Sequence, residues 1–381
     1  MPTLLSLPPE LLIHILDLLS SDVWTLRNCA YTCSALRPFC RHHLLAVADF
    51  NVLGDADAEP FRDCITHLQM SVKSGGLDGI PETHIEVALR LPKLKKMSFC
   101  GPSNPFRHWF PTGIQEALHL FSSVTELALV RTTHASVEQL QSLISSLNNL
   151  SHLTIHGLTV QGSVHGNYFA RHQHRHAEEL GGPRLTHLNA APSFHADGTA
   201  AVLQWLSHTP TRHCLRTLDI PAASRNTQFV VDSFGPTIHR LCVAELKSIA
   251  AWKTSFIHRY TNLLTLEVGS LSQLSWQPLY KVVAGICSPD FCELVLRYDA
   301  VADADARIAA SRVETSPVDY ILHDDMPALQ KVCFVVQYDS RLAGRDAQWK
   351  DAVRERVRSF FYRLAEDGTL QVEFEAQRIR A

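Results

Sequence analysis

"VTELALVRTTHASVEQLQSLISSLNNLSHLTI", Val124 to Ile155, holds two copies of one short phrase with a helical pattern between them. The phrase is an apolar residue, two variable ones, an apolar residue, one variable, then a third apolar residue. Val124, Leu127 and Leu129 fill it in the first copy, and Leu150, Leu153 and Ile155 in the second. Apolar positions two apart mark a strand with one buried face, because side chains alternate across a strand. Between the copies, Ser136 and Gln139 fit a capping box, and Val137, Leu140, Ile144 and Leu147 share one helical face. Strands separated by a helix are predicted to run parallel, since an antiparallel pair needs only a tight turn.

The phrase recurs in both directions. "ITHLQM" from Ile65 and "LKKMSF" from Leu94 precede it. "LTHLNA" from Leu185, "LRTLDI" from Leu215, "IHRLCV" from Ile238, "LLTLEV" from Leu263, "FCELVL" from Phe291 and "LQKVCF" from Leu329 follow, with a last strand "LQVEF" from Leu370. Further helical patterns are marked by Ile249, Trp252 and Phe256, and by Leu279, Val282, Val283 and Ile286. Trp349, Val353, Val357, Phe360, Phe361 and Leu364 mark the longest. Each strand-helix unit can bury its apolar face only against its neighbours, so stacking into an irregular α/β solenoid is expected, parallel strands inside and helices outside. The intervals vary from roughly twenty to forty residues, at the long end of known repeats, and residues 161 to 184 and 299 to 327 read as insertions. An irregular α/β domain whose central sheet shows leucine periodicity is the competing fold.

The amino-terminal stretch "LPPELLIHILDLLSSDVWTLRNCAYTCSAL", Leu7 to Leu36, follows a different plan. Pro8 and Pro9 sit where a helix can begin without losing a bond, and a helix is predicted from about Pro9 to Leu19. Leu11, Leu12, Ile15, Leu16, Leu18 and Leu19 span roughly 160°, against the roughly 100° stripe of an ordinary surface helix, and Ile13 widens the arc. A secretory signal or a membrane span is disfavoured, since no Lys or Arg precedes the run while Glu10, His14 and Asp17 interrupt it. The surplus is expected to meet either this chain or another protein, because an uncovered patch of several hundred Å² marks a partner site. Ser20, Ser21 and Asp22 offer caps for a second helix carrying Leu26, Cys29, Ala30 and Cys33, and a third short helix is predicted near "FCRHHLL".

Together, "LPPELLIHILDLL", the "LRNCAYTCSALRPF" run and their spacing resemble the F-box over about residues 6 to 46. The repeats behind it resemble the degenerate leucine-rich-repeat horseshoe of many F-box proteins over most of residues 60 to 375. Family members often carry Trp shortly after the Cys-containing helix, where this chain has Ser34, Ala35 and Leu36. The resemblance implies an F-box domain over 1 to 50 and a repeat domain over 51 to 381. By matching positions it also implies that Leu7, Pro8, Glu10, Leu11 and Ile15 contact the Skp adaptor of an SCF ubiquitin ligase with its cullin scaffold. The repeat domain would then hold a protein substrate, the ubiquitin chemistry belonging to partner enzymes. An adaptor-bound scaffold outside any ligase is the alternative, followed by an enzyme of unrecognised chemistry.

In a horseshoe the variable residues of each strand would face away from the helices, the first of them standing just before the middle apolar residue of the phrase. His67, Lys96, Glu126, His152, His187, Thr217, Arg240, Thr265, Glu293 and Lys331 occupy that position and are the candidate substrate-binding row. A solvated strand face would favour the same residue types.

Composition bounds the remainder. Thirty-five basic against thirty-eight acidic residues give a net charge of −3, without the footprint of a nucleic-acid binder. Ten cysteines and no C-x-x-C pair are expected as free thiols of a cytoplasmic or nuclear chain. Cys29, Cys33 and Cys40 read as small buried residues rather than zinc ligands. The histidines at 165, 172, 174 and 176 read as a polar insertion rather than a metal site. Neither a G-x-S-x-G elbow, a Walker loop nor a dinucleotide glycine fingerprint occurs, so no cofactor, metal or catalytic residue is expected.

Overall fold

The computed structural model describes residues 7–19, 22–50, 53, 62–71, 82–101, 117–160, 182–191, 196–220, 233–243, 257–269, 276–300, 317–339 and 347–377. The histidine-rich segment and the helix expected around Trp252 lie outside these residues. The chain divides into two compact units: Met1–Arg175 with Ser193–Val202, and His176–Pro192 with Leu203–Ala381.

Three short helices open the first unit: α1 (Pro9–Leu18), α2 (Val23–Thr32) and α3 (Arg37–Leu45). Pro9 takes the first helical position of α1, and the Pro8 carbonyl accepts from the Leu11 and Leu12 N–H groups. Asp22 caps α2 by accepting from the Thr25 N–H at 3.1 Å. The helices share a small core of Leu12, Leu16, Leu26, Ala30, Leu36 and Cys40. Leu36 thus fills this core directly, in the segment where the F-box pattern carries Trp.

Five strands follow in one parallel run: β1 (Val47–Asp49), β2 (His67–Ser71), β3 (Lys96–Cys100), β4 (Glu126–Val130) and β6 (His152–His156), each pairing with the next. A separate parallel pair, β5 (Thr133–His134) and β7 (Thr159–Val160), lies beyond their ends. The sheet therefore starts at Val47, inside the range expected for the helical domain. Gly101 ends β3 under the Arg131 carbonyl, where an added Cβ would stand only 1.9 Å from that oxygen.

The second unit continues the same plan with β8 (His187–Ala191), β9 (Thr217–Ile220), β10 (Arg240–Val243), β11 (Thr265–Val268), β12 (Glu293–Ala300), β13 (Lys331–Asp339) and β14 (Leu370–Gln377). These strands are parallel and stand in chain order. Every recurrence of the phrase has become a strand. One backbone device repeats in both units: the carbonyl just before the strand accepts two successive N–H groups of the next repeat. Lys95 does so for Thr125 and Glu126, and His239 for Leu264 and Thr265, at 2.8 to 3.0 Å.

Helices lie between strands in the chain, as at α4 (Glu82–Leu89), α5 (Val137–Ser146), α6 (Ala196–Leu206), α7 (Thr211–Cys214), α8 (Trp276–Val283) and α9 (Pro317–Tyr320). The Ser136 hydroxyl caps α5 by accepting from the Gln139 N–H, while the Gln139 amide reaches back to the Ala135 N–H rather than that of Ser136. Val137, Leu140, Ile144 and Leu147 are buried, as their spacing predicts. Single 3₁₀ turns at Leu118–Leu120, Gly235–Thr237 and Ile257–Arg259 precede β4, β10 and β11. The longest helical pattern forms two helices, α10 (Ala347–Phe360) and α11 (Tyr362–Glu366). The break falls at Phe361, whose backbone leaves the helical region while its ring stays fully buried. Among the described residues no helix is long and apolar enough to cross a membrane.

Candidate docking and recognition surfaces

The leucines of α1 form two stripes. Leu12 and Leu16 face the three-helix core, Leu16 being only 3% exposed. Leu11, Ile15 and Leu18, at i, i+4 and i+7, share the adjacent face. Leu11 is 51% and Leu18 72% exposed, and Ile15 is half-buried. Of the five positions implicated by the F-box pattern, Pro8, Glu10 and Leu11 are exposed and Ile15 is half open, whereas Leu7 packs against the domain's own core.

Helix α2 carries two further exposed apolar side chains, which the sequence pattern did not single out. Trp24 and Tyr31, two turns apart, are 68% and 81% exposed. Burial of Leu26 and Ala30 on the opposite side of α2 turns them outward. An aromatic pair at i, i+7 on a helix with an already assigned buried face was the available signal.

Cys29 and Cys33, one turn apart, approach the buried Cys40. Burial, followed by the neighbouring sulfurs, pushes the Cys40 thiol up. The Cys40 thiol therefore stays protonated as a small core residue. Among the described residues no group of three or more His, Cys, Asp or Glu side chains is placed to hold a metal.

The candidate substrate-binding residues fall on one rung of each run of strands. In the first unit His67, Lys96, Glu126 and His152 are successive register partners. In the second the rung runs His187, Thr217, Arg240, Thr265, Glu293 and Lys331. They alternate with fully buried residues such as Leu68, Leu127, Leu218 and Leu266, so the row lies on the face opposite the core.

The two units use that face differently. In the first, His67 Nε2 shares a 2.6 Å hydrogen bond with the Ser98 hydroxyl, and burial followed by the nearby Lys96 holds its imidazole below the usual range. Lys96 and Glu126 approach to 3.6 Å with both side chains well exposed, a pair of little energetic weight.

The second unit carries a linked charge network. Arg240 donates to Glu267 Oε2 at 2.7 Å, and Arg297 donates to Glu267 Oε1 at 2.5 Å and to Glu375 at 2.9 Å. Lys331 meets Glu293 at 3.2 Å. Glu267 is buried, which alone would raise its carboxyl, but the two guanidiniums bonded to it bring it below the ordinary range. Asp219, two strands away, moves in the opposite sense. Burial and then the Glu267 charge push it up, with Asn189 donating to it at 3.1 Å. Between them Cys242 is pushed up to about 12 by burial and then by Asp219.

Asp219, Cys242 and Glu267 occupy the variable position just after the middle apolar residue of the phrase, not the one before it, and are register neighbours. Sequence reading had singled out the first row. In this second row Glu267 stands between the long Arg240 and Arg297, both of which reach it. The strongest electrostatics thus lie one rung further along.

This arrangement is a linked set of ion pairs on the outward face of the second unit's strands. It suits binding through directional charged contacts. No protein-family model matches the chain, and no curated protein matches it in sequence.

Proposed function

We propose that this chain is the substrate-recognition subunit of an SCF-type ubiquitin ligase. The amino-terminal three-helix domain acts as an F-box docking on the Skp adaptor and its cullin scaffold. The parallel-strand repeats act as an irregular leucine-rich-repeat solenoid that holds a protein substrate. The observation supporting this most directly is the double stripe of α1. Leu12 and Leu16 complete the domain's own core while Leu11, Ile15 and Leu18 remain open beside them. A helix that needs two apolar neighbours and has one within its own domain has an interface left to fill.

The receptor's contribution on this reading is proximity. Holding a substrate lysine beside a ubiquitin-loaded carrier raises effective concentration, and partner enzymes carry out the transfer. Such a receptor acts where the adaptor resides, in the cytoplasm and nucleus.

The test is affinity purification of the full chain from cells, wild type beside a Leu11→Asp/Leu18→Asp variant. The wild type is expected to bring down the adaptor and cullin, and the variant neither. Adaptor without cullin would favour a scaffold outside the ligase. Equal recovery of both partners with wild type and variant would remove the docking claim.

A further inference from the structure

Strand β14 ends the second unit's sheet. It pairs with β13 along one side, and among the described residues no strand pairs with the other. At eight residues it is a long edge, a ready template for an added strand. Its buried-side residues are incompletely covered. Val372 and Phe374 are half-buried, whereas their register partners on β13, Phe334 and Val336, are fully buried. Trp349 of α10 packs edge-on against Phe374 at 5.8 Å between ring centres, and Lys350 and Arg354 stand 5.6 and 5.5 Å from the ring centre, so the ring is covered in part.

The opposite side of β14 is acidic. Gln371, Glu373 and Glu375 alternate with the apolar residues and are exposed. On the same face of β11 to β13, Glu267, Glu293 and Asp299 add further carboxylates, against Arg240, Arg297 and Lys331. Each of these three cations is already bonded to a carboxylate of the face. The edge therefore carries surplus negative charge on one side and partly uncovered apolar surface on the other.

We propose that the outer edge of β14 captures an extended segment of a protein partner by strand addition, a segment in which basic and apolar residues alternate. An added strand would lie about 4.8 Å from β14, its alternate side chains pointing to opposite faces. The basic ones would meet Glu373 and Glu375, and the apolar ones would cover Val372 and Phe374. A second copy of β14 is a poor occupant, because a self-paired edge would set these glutamates among like charges. The proposal rests on the reading of the repeats as the capture surface and names the chemistry of what they capture.

The probe is an end-capped, fluorescein-labelled eight-residue peptide alternating Lys and Val, titrated by polarisation into the full chain at low salt. Two control peptides accompany it, one with Glu in place of Lys and one N-methylated at alternate backbone nitrogens. Saturable binding of the Lys peptide is expected, at least tenfold tighter than either control. Glu373→Lys is expected to weaken the Lys peptide by more than fivefold and to improve the Glu peptide. Equal binding of the N-methylated peptide would reduce the effect to charge alone and overturn strand addition. Absence of binding by the Lys peptide would overturn the proposal outright. Neither result touches adaptor docking, which the co-purification reads separately.

Discussion

Truncation along α1 separates its two stripes, because the same chemical change falls on leucines of very different burial. Leu16→Ala empties part of a core built from six buried residues, and such buried truncations cost about 2–5 kcal/mol. Leu18→Ala removes a side chain that is 72% exposed, so stability should change by less than about 0.5 kcal/mol, the more so because alanine is the better helix former. Docking reverses the order. Fully burying a leucine is worth about 1.5–3 kcal/mol, and the exposed fractions of Leu11 and Leu18 leave about half to three quarters of that for a partner to collect. On the proposed docking, Leu11→Ala/Leu18→Ala should therefore weaken the adaptor complex by about 2–4 kcal/mol, or roughly 30- to 1000-fold. Hydrogen exchange of the α1 amides reads the first effect without requiring the whole chain to unfold at once, and titration with purified adaptor reads the second. Leu18→Ala destabilising α1 as much as Leu16→Ala would show that the open stripe is covered by this chain, and the reasoning would fail.

Three further outcomes follow from the charged groups. Glu267→Gln retains one neutral acceptor for two guanidiniums, and with Arg240 half-exposed the loss should be about 1–2 kcal/mol, read by exchange of the β11 amides and smaller for Arg240→Met than for Arg297→Met. Because the Glu267 carboxyl is depressed on folding, its contribution is present above the ordinary carboxylate range and fades as pH falls through its folded value. Asp219 is raised instead, so its ionisation opposes folding as pH climbs past the unfolded value; Asp219→Asn should protect the β9 amides at pH 7 and leave them unchanged at pH 3. His323 bridges Asp324 at 2.6 Å and Asp367 at 2.8 Å through its two ring nitrogens, which only the imidazolium can donate from together. Its raised pKa, owed first to Asp324, makes that stabilisation complete below the ordinary histidine range and lost as pH rises above it; Gly368 amide protection should show this fall in the wild type and not in His323→Gln.

The succession of parallel strands was legible because its signal is redundant. Buried triplets such as Val124, Leu127 and Leu129 recur along the chain, and any one could be misread without losing the pattern. The three opening helices were legible for the same kind of reason, since Pro8, Pro9 and Asp22 punctuate them where side-chain chemistry requires. Features depending on a single tertiary contact were not. Val47–Asp49 is too short to show a period and is a strand only because β2 lies beside it. The pattern from Trp349 to Leu364 reads as continuous because helical spacing survives one irregular residue, Phe361. The wheel of α1 showed too much apolar surface but not which leucines the core would take, since that depends on where α2 and α3 pack. Glu267 was passed over because a carboxylate on a strand face reads as solvated until arginines from neighbouring strands are seen to close on it.

The open face of the second unit also departs from a merely solvated strand surface, which would carry polar residues at every outward position. Val295, Cys333 and Val335 point to that face and are buried. Along their own strands they stand beside Glu293, Arg297 and Lys331, and across the register Val335 faces Arg297 and Glu373. Long charged side chains can lay their methylene stems over such a floor while keeping their heads in water. The ion pairs of Glu293 with Lys331 and of Arg297 with Glu375 hold those stems in place. Contacts of this kind reward a partner with matching charge and penalise one without it, whereas the leucine stripe of α1 is non-directional. On the proposed reading the work divides in this way, with apolar burial for the fixed partner and charge for the selected one.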